Sequence, residues 1–285
     1  MYMFIICTMA VRRRKRRRLK RQVVYFLIFS GILLVSVVLL TTKARRTIPY
    51  EPAELVEKTR ELHSYDWANL ETDGNFASYN DDRYTSLQGI DVSEHQAEID
   101  WEKVKAAGID FAFIRTGYRG TESGWCTEDR WFRTNMEGAS QAGIDIGVYF
   151  FSQAITEEEA VEEADYVARQ IKGYDVTYPV VFDMEHPETG TDRIRDLSRE
   201  EKTRIAAAFM SRVQWAGYTP MLYNSTGLLD VFFDMDLLTD YPVWAAEYGS
   251  LPRYPYVFEI WQYTNTGRVD GIRGNVDMDI RFTEK

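Results

Sequence analysis

The chain has 285 residues, of which 45% are hydrophobic and 14% aromatic, which is enough to build a full buried core. The formal net charge of −10 is unevenly distributed, because residues 1–42 hold nine basic side chains and no acidic one, whereas the rest holds 25 basic and 44 acidic side chains. An acidic folded part lacks the basic face that nucleic-acid binding needs, so no nucleic acid is expected as a partner.

The first 42 residues predict a membrane anchor. Residues 1–22 contain the basic cluster Arg12 to Arg21, and residues 23–42 begin with the uncharged run VVYFLIFSGILLVSVVLL. A helix of about 20 such residues spans the roughly 30 Å hydrocarbon layer, and basic flanks stay in the cytoplasm. We therefore expect a basic cytoplasmic segment at 1–22, a single-pass signal-anchor helix at 23–42 in the lipid bilayer, and the remainder outside the cell. A cleaved signal peptide and a disordered basic tail remain alternatives.

Residues 43–87 are polar and are predicted to form an extracellular stalk, with a short amphipathic stretch at 53–62. The alternative is that this stretch forms a helix that packs onto the following domain. The two cysteines, Cys7 and Cys126, lie on opposite sides of the membrane in this topology. The outer domain is therefore expected to fold without a disulfide.

From residue 88 onward, short apolar runs alternate with helical patterns. Strands are predicted at 89–92, 111–115, 146–151, 179–183 and 221–223, and helices at 101–107, 129–142, 157–171 and 199–215. A glycine follows each helix, as is typical of helix ends. Three strands without helices follow, at 243–246, 256–263 and 276–280. Five strand–helix units and three bare strands predict an α/β fold, an irregular TIM-like (β/α)5(β)3 barrel over residues 88–285.

Polar and aromatic side chains recur where these predicted strands end. In a parallel barrel the carboxyl ends of the strands meet at one mouth, which holds the active site. The candidate site residues are therefore Asp91, Tyr149, Asp183, Glu185, Tyr223, Trp244, Glu247, Gln262 and Asp277.

Asp183 and Glu185 form the most specific motif for acid catalysis among these candidates. They stand two residues apart after the apolar run YPVVF, so a continued strand places both on one face, about 6–7 Å apart at Cβ. Two carboxyls this close in a partly dry pocket do not ionise easily together, so one keeps its proton and can act as a general acid. Hydrolysis of a glycosidic bond needs such an acid together with a second, charged carboxylate.

Several motifs in the expected order resemble glycoside hydrolase family 25, the bacterial and phage lysozymes. They are Gly89-Ile90-Asp91-Val92-Ser93, Gln96, Ile99-Asp100-Trp101, Gly108, Val181-Phe182-Asp183-Met184-Glu185, Trp261-Gln262-Tyr263-Thr264 and Gly274-Asn275-Val276-Asp277-Met278. The resemblance covers roughly residues 88–282. It implies an irregular (β/α) barrel that hydrolyses the β-1,4 bond between N-acetylmuramic acid and N-acetylglucosamine in peptidoglycan. The predicted membrane anchor separately suggests remodelling of the cell's own wall, or its opening for a secretion or conjugation apparatus.

The resemblance also implies roles for individual residues. Glu185 matches the proton donor, and Asp183 the carboxylate that steers the 2-acetamido group of the substrate or stabilises the cation directly. Asp91 and Asp277 match the remaining pocket acids, and the substrate-contacting positions are Tyr149, Tyr223, Trp244, Gln262 and Glu247. Two departures add negative charge near the mouth: Asp279 stands where the family often has Asn, and Glu247 replaces a smaller acid or amide.

Other chemistries have weaker signals. The three histidines, His63, His95 and His186, form no HExxH motif, so no metal is expected, although a zinc site from His95, His186 and Asp91 is conceivable. No cofactor motif is present. Two alternatives remain for function: a glycosidase that acts on another amino-sugar polymer such as chitin, and a non-catalytic wall-binding scaffold of the same fold.

Overall fold

The computed structural model describes residues 54–249 and 251–285. The predicted cytoplasmic segment at 1–22, the predicted transmembrane helix at 23–42 and the first residues of the predicted stalk lie outside the described residues and remain predictions. Within the described ranges, no helix is both long enough and apolar enough to cross a membrane.

Eight strands close into a barrel, and three further strands lie beside it. In chain order the strands are β1 (Leu70–Asp73), β2 (Phe76–Tyr79), β3 (Tyr84–Val92), β4 (Phe111–Arg119), β5 (Cys126–Glu128), β6 (Asp145–Phe151), β7 (Val180–Asp183), β8 (Pro220–Ser225), β9 (Val243–Ala246), β10 (Ile260–Gly267) and β11 (Val276–Glu284). Strands β3, β4, β6, β7, β8, β9 and β10 pair in parallel in that order. Strand β11 is antiparallel to both β10 and β3 and closes the barrel. The predicted irregular barrel is confirmed.

Helices follow the first five barrel strands. They are α1 (Trp101–Ala106), α2 (Phe132–Gln141), α3 (Glu157–Ile171), α4 (Arg199–Trp215) and the short α5 (Leu229–Phe232). Helix α3 starts at the cap Thr156, and α4 starts at a capping box of Ser198 and Glu201, so the backbone N–H groups of the first turns are satisfied. After α4, Gly217 takes a φ of 91° and ends the helix. The helices predicted at 157–171 and 199–215 are confirmed to the residue.

Large apolar side chains fill the barrel interior. The core cluster contains Phe111, Phe113, Tyr178, Val181, Met221, Tyr223, Trp244, Ala246 and Ile260. The Phe113 and Trp244 rings stack with centroids 4.6 Å apart. A β-carbon on Gly89 would overlap the Phe111 ring, so the glycine of the first predicted strand makes room for this packing. These side chains make the barrel interior a packed core and not a pore.

The predicted boundary between stalk and barrel at residue 88 does not match the structure. Strand β3 already begins at Tyr84, because its first residues pair with the end of β11. Residues 54–62 are not helical and contact the barrel. Lys58 forms a salt bridge with Asp240, and Leu62 forms an isolated antiparallel β-bridge with Tyr256. From residue 54 onward, the stretch predicted as a stalk is therefore part of the folded domain.

Aromatic side chains hold this N-terminal stretch in place. His63, Tyr65 and Trp67 alternate in the segment that leads into the short 3-10 helix Trp67–Asn69, and they pack against Phe258 with ring centroids 5.3–6.5 Å from it. The Tyr65 ring also stacks on Phe282 at 4.1 Å, and its hydroxyl donates to the Phe258 carbonyl at 2.6 Å. The period of two is a strand-like burial pattern, which the polar composition of the segment concealed.

Candidate active site

The mouth of the barrel opens into a cleft of about 750 Å³. Eight of the nine predicted site residues line it: Asp91, Tyr149, Asp183, Glu185, Tyr223, Trp244, Gln262 and Asp277. Five of them lie in or just after the carboxyl-terminal half of a parallel strand: Asp91, Tyr149, Asp183, Glu185 and Tyr223. Trp244 and Gln262 lie within β9 and β10, and Asp277 is the second residue of the antiparallel strand β11. Barrel closure therefore brings together residues that are up to 186 positions apart in the sequence.

Asp91 and Asp277 form one pair of carboxyls in the cleft. They are register partners in β3 and β11, and Asp91 accepts a hydrogen bond of 2.5 Å from the Gln262 amide. Burial, and then the charges of Asp277 and Asp279, raise the pKa of Asp91 well above its ordinary value. Burial also raises the pKa of Asp277 to about 6, although its hydrogen bond with Asp91 opposes the shift. The pair retains a proton more readily than two separate carboxylates would.

Asp183 and Glu185 form the second pair, and hydrogen bonds to the backbone fix the chain that carries them. The Ser152 N–H donates to the Asp183 carbonyl at 2.7 Å. The Gln153 amide donates to the Glu185 carbonyl and the Asn224 amide to the Met184 carbonyl, each at 2.8 Å. Strand β7 ends at Asp183, so these amides replace the lost strand pairing and hold Glu185 at the mouth.

The surroundings of the two carboxyls differ. Asp183 is 6% exposed, and its Oδ1 atom has no hydrogen-bond partner among the described residues. Burial and the charge of Glu185 raise the pKa of Asp183, and Arg115 opposes this. Glu185 is partly exposed, and burial followed by the charges of Asp277 and Glu188 raises its pKa to about 7. The charged neighbours also differ: the cation Arg115 lowers the pKa of Asp183, whereas the anions Asp277 and Glu188 raise the pKa of Glu185.

Aromatic and amide side chains form the rest of the cleft wall. The hydroxyls of Tyr223 and Tyr248 both donate to Gln262 Oε1, at 2.9 and 2.6 Å. The Trp244 indole N–H donates to Asp279 Oδ1 at 2.9 Å, beneath the cleft. Flat, hydrogen-bonded rings of this kind give a rigid apolar surface on which a sugar ring can stack.

Comparison with known proteins identifies the family. The model of "Glycosyl hydrolases family 25" matches residues 90–272. The chain belongs to glycosyl hydrolase family 25. This match contains all nine predicted site residues except Asp277, which lies just beyond its end.

Relatives of this family 25 chain include lysozymes. Lysozyme M1 of Streptomyces globisporus is 32% identical over 209 residues, covering 68% of this chain and 67% of the relative. The structure of the bacterial lysozyme from Streptomyces coelicolor matches with a TM-score of 0.56 and 30% identity, covering 68% of this chain and 90% of that protein. The autolysin LytC from Streptococcus pneumoniae, in complex with a synthetic peptidoglycan ligand, matches with a TM-score of 0.60 and 28% identity, covering 70% of this chain and 47% of LytC.

The family 25 chain thus spans about half of LytC but most of the Streptomyces coelicolor lysozyme. Its described residues hold the barrel that these proteins share. The prediction of a glycoside hydrolase of the lysozyme type is confirmed.

Glu247 is the one predicted substrate-contacting residue that the structure places outside the cleft of this family 25 enzyme. Thr226 donates to Glu247 Oε2 and Arg253 to Oε1, each at 2.6 Å. Although burial raises the pKa of Glu247, these hydrogen bonds outweigh it and hold the pKa below its ordinary value. Glu247 lines a separate pocket beside the cleft, where it orients Arg253.

Arg115 and Tyr248 are among the cleft residues that the sequence predictions missed. Arg115 lies at the end of a predicted strand and binds Asp129 at 2.8 Å and Glu94 at 3.3 Å. Tyr248 follows β9 by two residues and lines both the cleft and the neighbouring pocket. The same strand-end pattern that selected the other candidates applies to both residues.

The histidines considered for zinc have different surroundings. The His186 ring nitrogen Nδ1 lies 2.8 Å from Asp192, and its ring packs edge-on against Phe232. His95 lies at the cleft margin and is exposed. Among residues 54–249 and 251–285, no three His, Cys, Asp or Glu side chains are grouped as metal ligands.

Proposed function

We propose that this family 25 enzyme hydrolyses the β-1,4 bond between N-acetylmuramic acid and N-acetylglucosamine in peptidoglycan, with Glu185 as the proton donor. The observation that carries the proposal is the pairing of Glu185, partly exposed in the cleft with its pKa raised to about 7, with the buried Asp183. A carboxyl that holds its proton near neutral pH can protonate the leaving oxygen of a glycosidic bond.

Asp183 supplies the second function that the reaction needs. As the bond breaks, positive charge develops on the sugar, and a nearby carboxylate stabilises it. Asp183 lines the cleft, and a carboxylate at this position can accept a hydrogen bond from the N–H of a 2-acetamido group. Asp183 therefore orients the acetamido group and stabilises the developing cation.

The remaining cleft residues hold the sugar. Asp91 and Asp277 accept hydrogen bonds from sugar hydroxyls and keep the local charge negative, which favours the cationic transition state. Gln262 fixes Asp91, while Tyr149, Tyr223 and Trp244 present rings to the sugar faces.

The location of the enzyme is a further part of the proposal. The basic run at 12–21 and the uncharged run at 23–40 support a single-pass anchor with the amino terminus in the cytoplasm and the barrel outside the cell. An anchored hydrolase acts on the wall close to its own membrane, which suits local remodelling. Two results in wall-free intact cells support this location. The untreated protein is found in the membrane fraction, and protease added outside the cells digests the barrel. Release of active protein into the medium would contradict it.

The reaction is tested with the full-length protein on purified peptidoglycan. Fragments are reduced and identified by mass spectrometry, beside Glu185→Gln and the control Glu200→Gln, an exposed acid on α4 that is 74% accessible. New reducing ends at muramic acid with the wild type and the control, but not with Glu185→Gln, support the proposal. Reducing ends at glucosamine, or turnover of chitin in preference to peptidoglycan, contradict it. Equal wall binding without turnover by all three proteins indicates a scaffold.

A further inference from the structure

A second pocket opens beside the cleft, on the β8–β9 side of Glu185. This side pocket has a volume of about 380 Å³ and is lined by Glu185, Tyr223, Ser225, Thr226, Gly227, Ala246, Glu247, Tyr248 and Arg253. Glu185, Tyr223 and Tyr248 line the cleft as well. A sugar whose glycosidic oxygen contacts Glu185 therefore has the side pocket within reach of its substituents.

The charge of the side pocket differs from that of the cleft. Of the residues that line the side pocket, all within the described part of the chain, Arg253 is the one cation, and its side chain is 85% exposed. The arginines of the cleft are less accessible: Arg115 is 12% exposed and bound to Asp129, and Arg119 is 2% exposed and bound to Glu163. Arg253 is the accessible guanidinium beside an otherwise acidic site.

Glu247 orients this guanidinium. It accepts a hydrogen bond of 2.8 Å from the Arg253 backbone N–H and one of 2.6 Å from Nε, so both the chain and the side chain of Arg253 are fixed. Glu247 binds the guanidinium at Nε, and the Arg253 side chain as a whole is exposed, so its other edge is accessible to a ligand. That edge matches a carboxylate.

The two sugars of the proposed substrate differ in one group. Muramic acid carries a lactyl ether on O3, whose carboxyl is either free or linked to a short peptide that has carboxylates of its own. Glucosamine has a hydroxyl at the same position. The cleft arginines are already bound to Asp129 and Glu163, so a carboxylate of the substrate needs a cation outside the acidic cluster of the cleft.

We propose that the side pocket binds the carboxylate-bearing arm on O3 of muramic acid, with Arg253 pairing with its carboxylate. The proposal rests on the proposed function and deepens it, because it gives a physical reason for selecting the wall polymer over chitin. Ser225 and Thr226 add hydroxyl groups to the wall of the pocket, and Glu247 acts as the positioning residue of Arg253.

Two variants test the pocket in different ways. Arg253→Gln removes the charge but keeps hydrogen-bonding capacity. Gly227→Leu fills the pocket; no atom lies within 4 Å of the place where a β-carbon on Gly227 would be, and its backbone is not in the left-handed region. The matched control is Arg204→Gln on α4, where the lost arginine is 57% exposed and pairs with Glu200.

The readouts are the Michaelis constant on intact and on peptide-stripped peptidoglycan, and the inhibition constant of chitotetraose as a competitor, all with the full-length protein. We expect Arg253→Gln and Gly227→Leu to raise the Michaelis constant for peptidoglycan about fivefold, the value of one exposed ion pair of about 1 kcal/mol. The inhibition constant of chitotetraose, which has no lactyl group, should match that of the wild type and of Arg204→Gln.

Comparison of intact with peptide-stripped peptidoglycan distinguishes the two sources of the carboxylate. A larger effect on intact strands identifies the peptide carboxylate, and a larger effect on stripped strands identifies the lactyl carboxylate itself. An unchanged Michaelis constant in both variants overturns the proposal. An inhibition constant that rises in proportion to the Michaelis constant also overturns it, because the damage is then general. A wild type that cleaves no peptidoglycan refutes the proposed function instead.

Discussion

Asp91 and Asp277 lie directly opposite each other in the antiparallel pair of β3 and β11, at the seam where the barrel closes. The seam joins the first and the last strand of the barrel, so these two acids meet only when the whole domain is folded. Gln262 on the neighbouring strand β10 binds Asp91 and links the seam to Tyr223 and Tyr248 across the cleft. The acidic floor of the cleft is therefore part of the barrel closure itself.

The proton on Glu185 predicts the pH dependence of the reaction. Its pKa is raised to about 7, so the acid form that donates the proton is present below pH 7 and is lost as the pH rises through that value. The rate of peptidoglycan hydrolysis should therefore fall above about pH 7. Initial rates between pH 4 and 9 check this, and Glu185→Gln should lower the turnover number at least about a hundredfold at every pH. A rate that continues to rise up to pH 9 would assign the proton donor elsewhere.

Glu188 should influence the pH at which the rate of hydrolysis falls. Its negative charge contributes to the raised pKa of Glu185, after burial and Asp277. Glu188→Gln removes the charge, lowers the pKa of Glu185 and shifts the alkaline fall in rate to lower pH. Because Glu188 is exposed and screened by salt, we expect a shift of less than about half a pH unit. The pH profile of the variant, measured beside Glu157→Gln at the start of α3 as a control, tests the direction; a shift to higher pH would contradict it.

Asp279→Asn should stabilise the fold at high pH. Asp279 is fully buried, its Oδ2 atom has no partner among the described residues, and burial followed by the charge of Asp277 raises its pKa. Because the pKa of Asp279 is higher in the folded than in the unfolded state, its contribution to the free energy of unfolding is fully present below about pH 4. That contribution is lost as the pH rises towards the folded-state pKa. An asparagine still accepts from Trp244 but carries no charge.

We therefore expect the free energy of unfolding of Asp279→Asn to exceed that of the wild type by about 1–2 kcal/mol at pH 8, with little difference at pH 4. Urea unfolding at the two pH values measures this. A difference that is equal at both pH values would show that the charge is not the cause.

Tyr65 should contribute to the stability of the barrel from outside it. Its ring stacks on Phe282 at the end of β11 and its hydroxyl binds the Phe258 carbonyl. Tyr65→Ala removes both contacts and should lower the free energy of unfolding by about 2–3 kcal/mol. Tyr65→Phe keeps the stacking and should cost about 1 kcal/mol. Thermal unfolding of both variants distinguishes this from a loose stalk, for which neither change would matter.

The sequence by itself determined the barrel, most of its strands and helices, and eight of the residues in the cleft. Periodicity and capping are local properties, so α3 and α4 could be predicted to the residue. The strand-end pattern selected Asp183 and Glu185 because they follow a buried apolar run, and the carboxyl ends of barrel strands form the active-site mouth.

Only the tertiary structure decided the rest. The N-terminal stretch was predicted as a stalk because its composition is polar. Its alternating aromatic side chains are partly buried only because they pack against Phe258 and Phe282, which are distant in the sequence. Glu247 shares the strand-end signal of the cleft residues, yet its partners Thr226 and Arg253 turn it towards the side pocket. Such pairings depend on which loops meet when the barrel closes, and loop contacts between distant residues leave no periodic trace in the sequence.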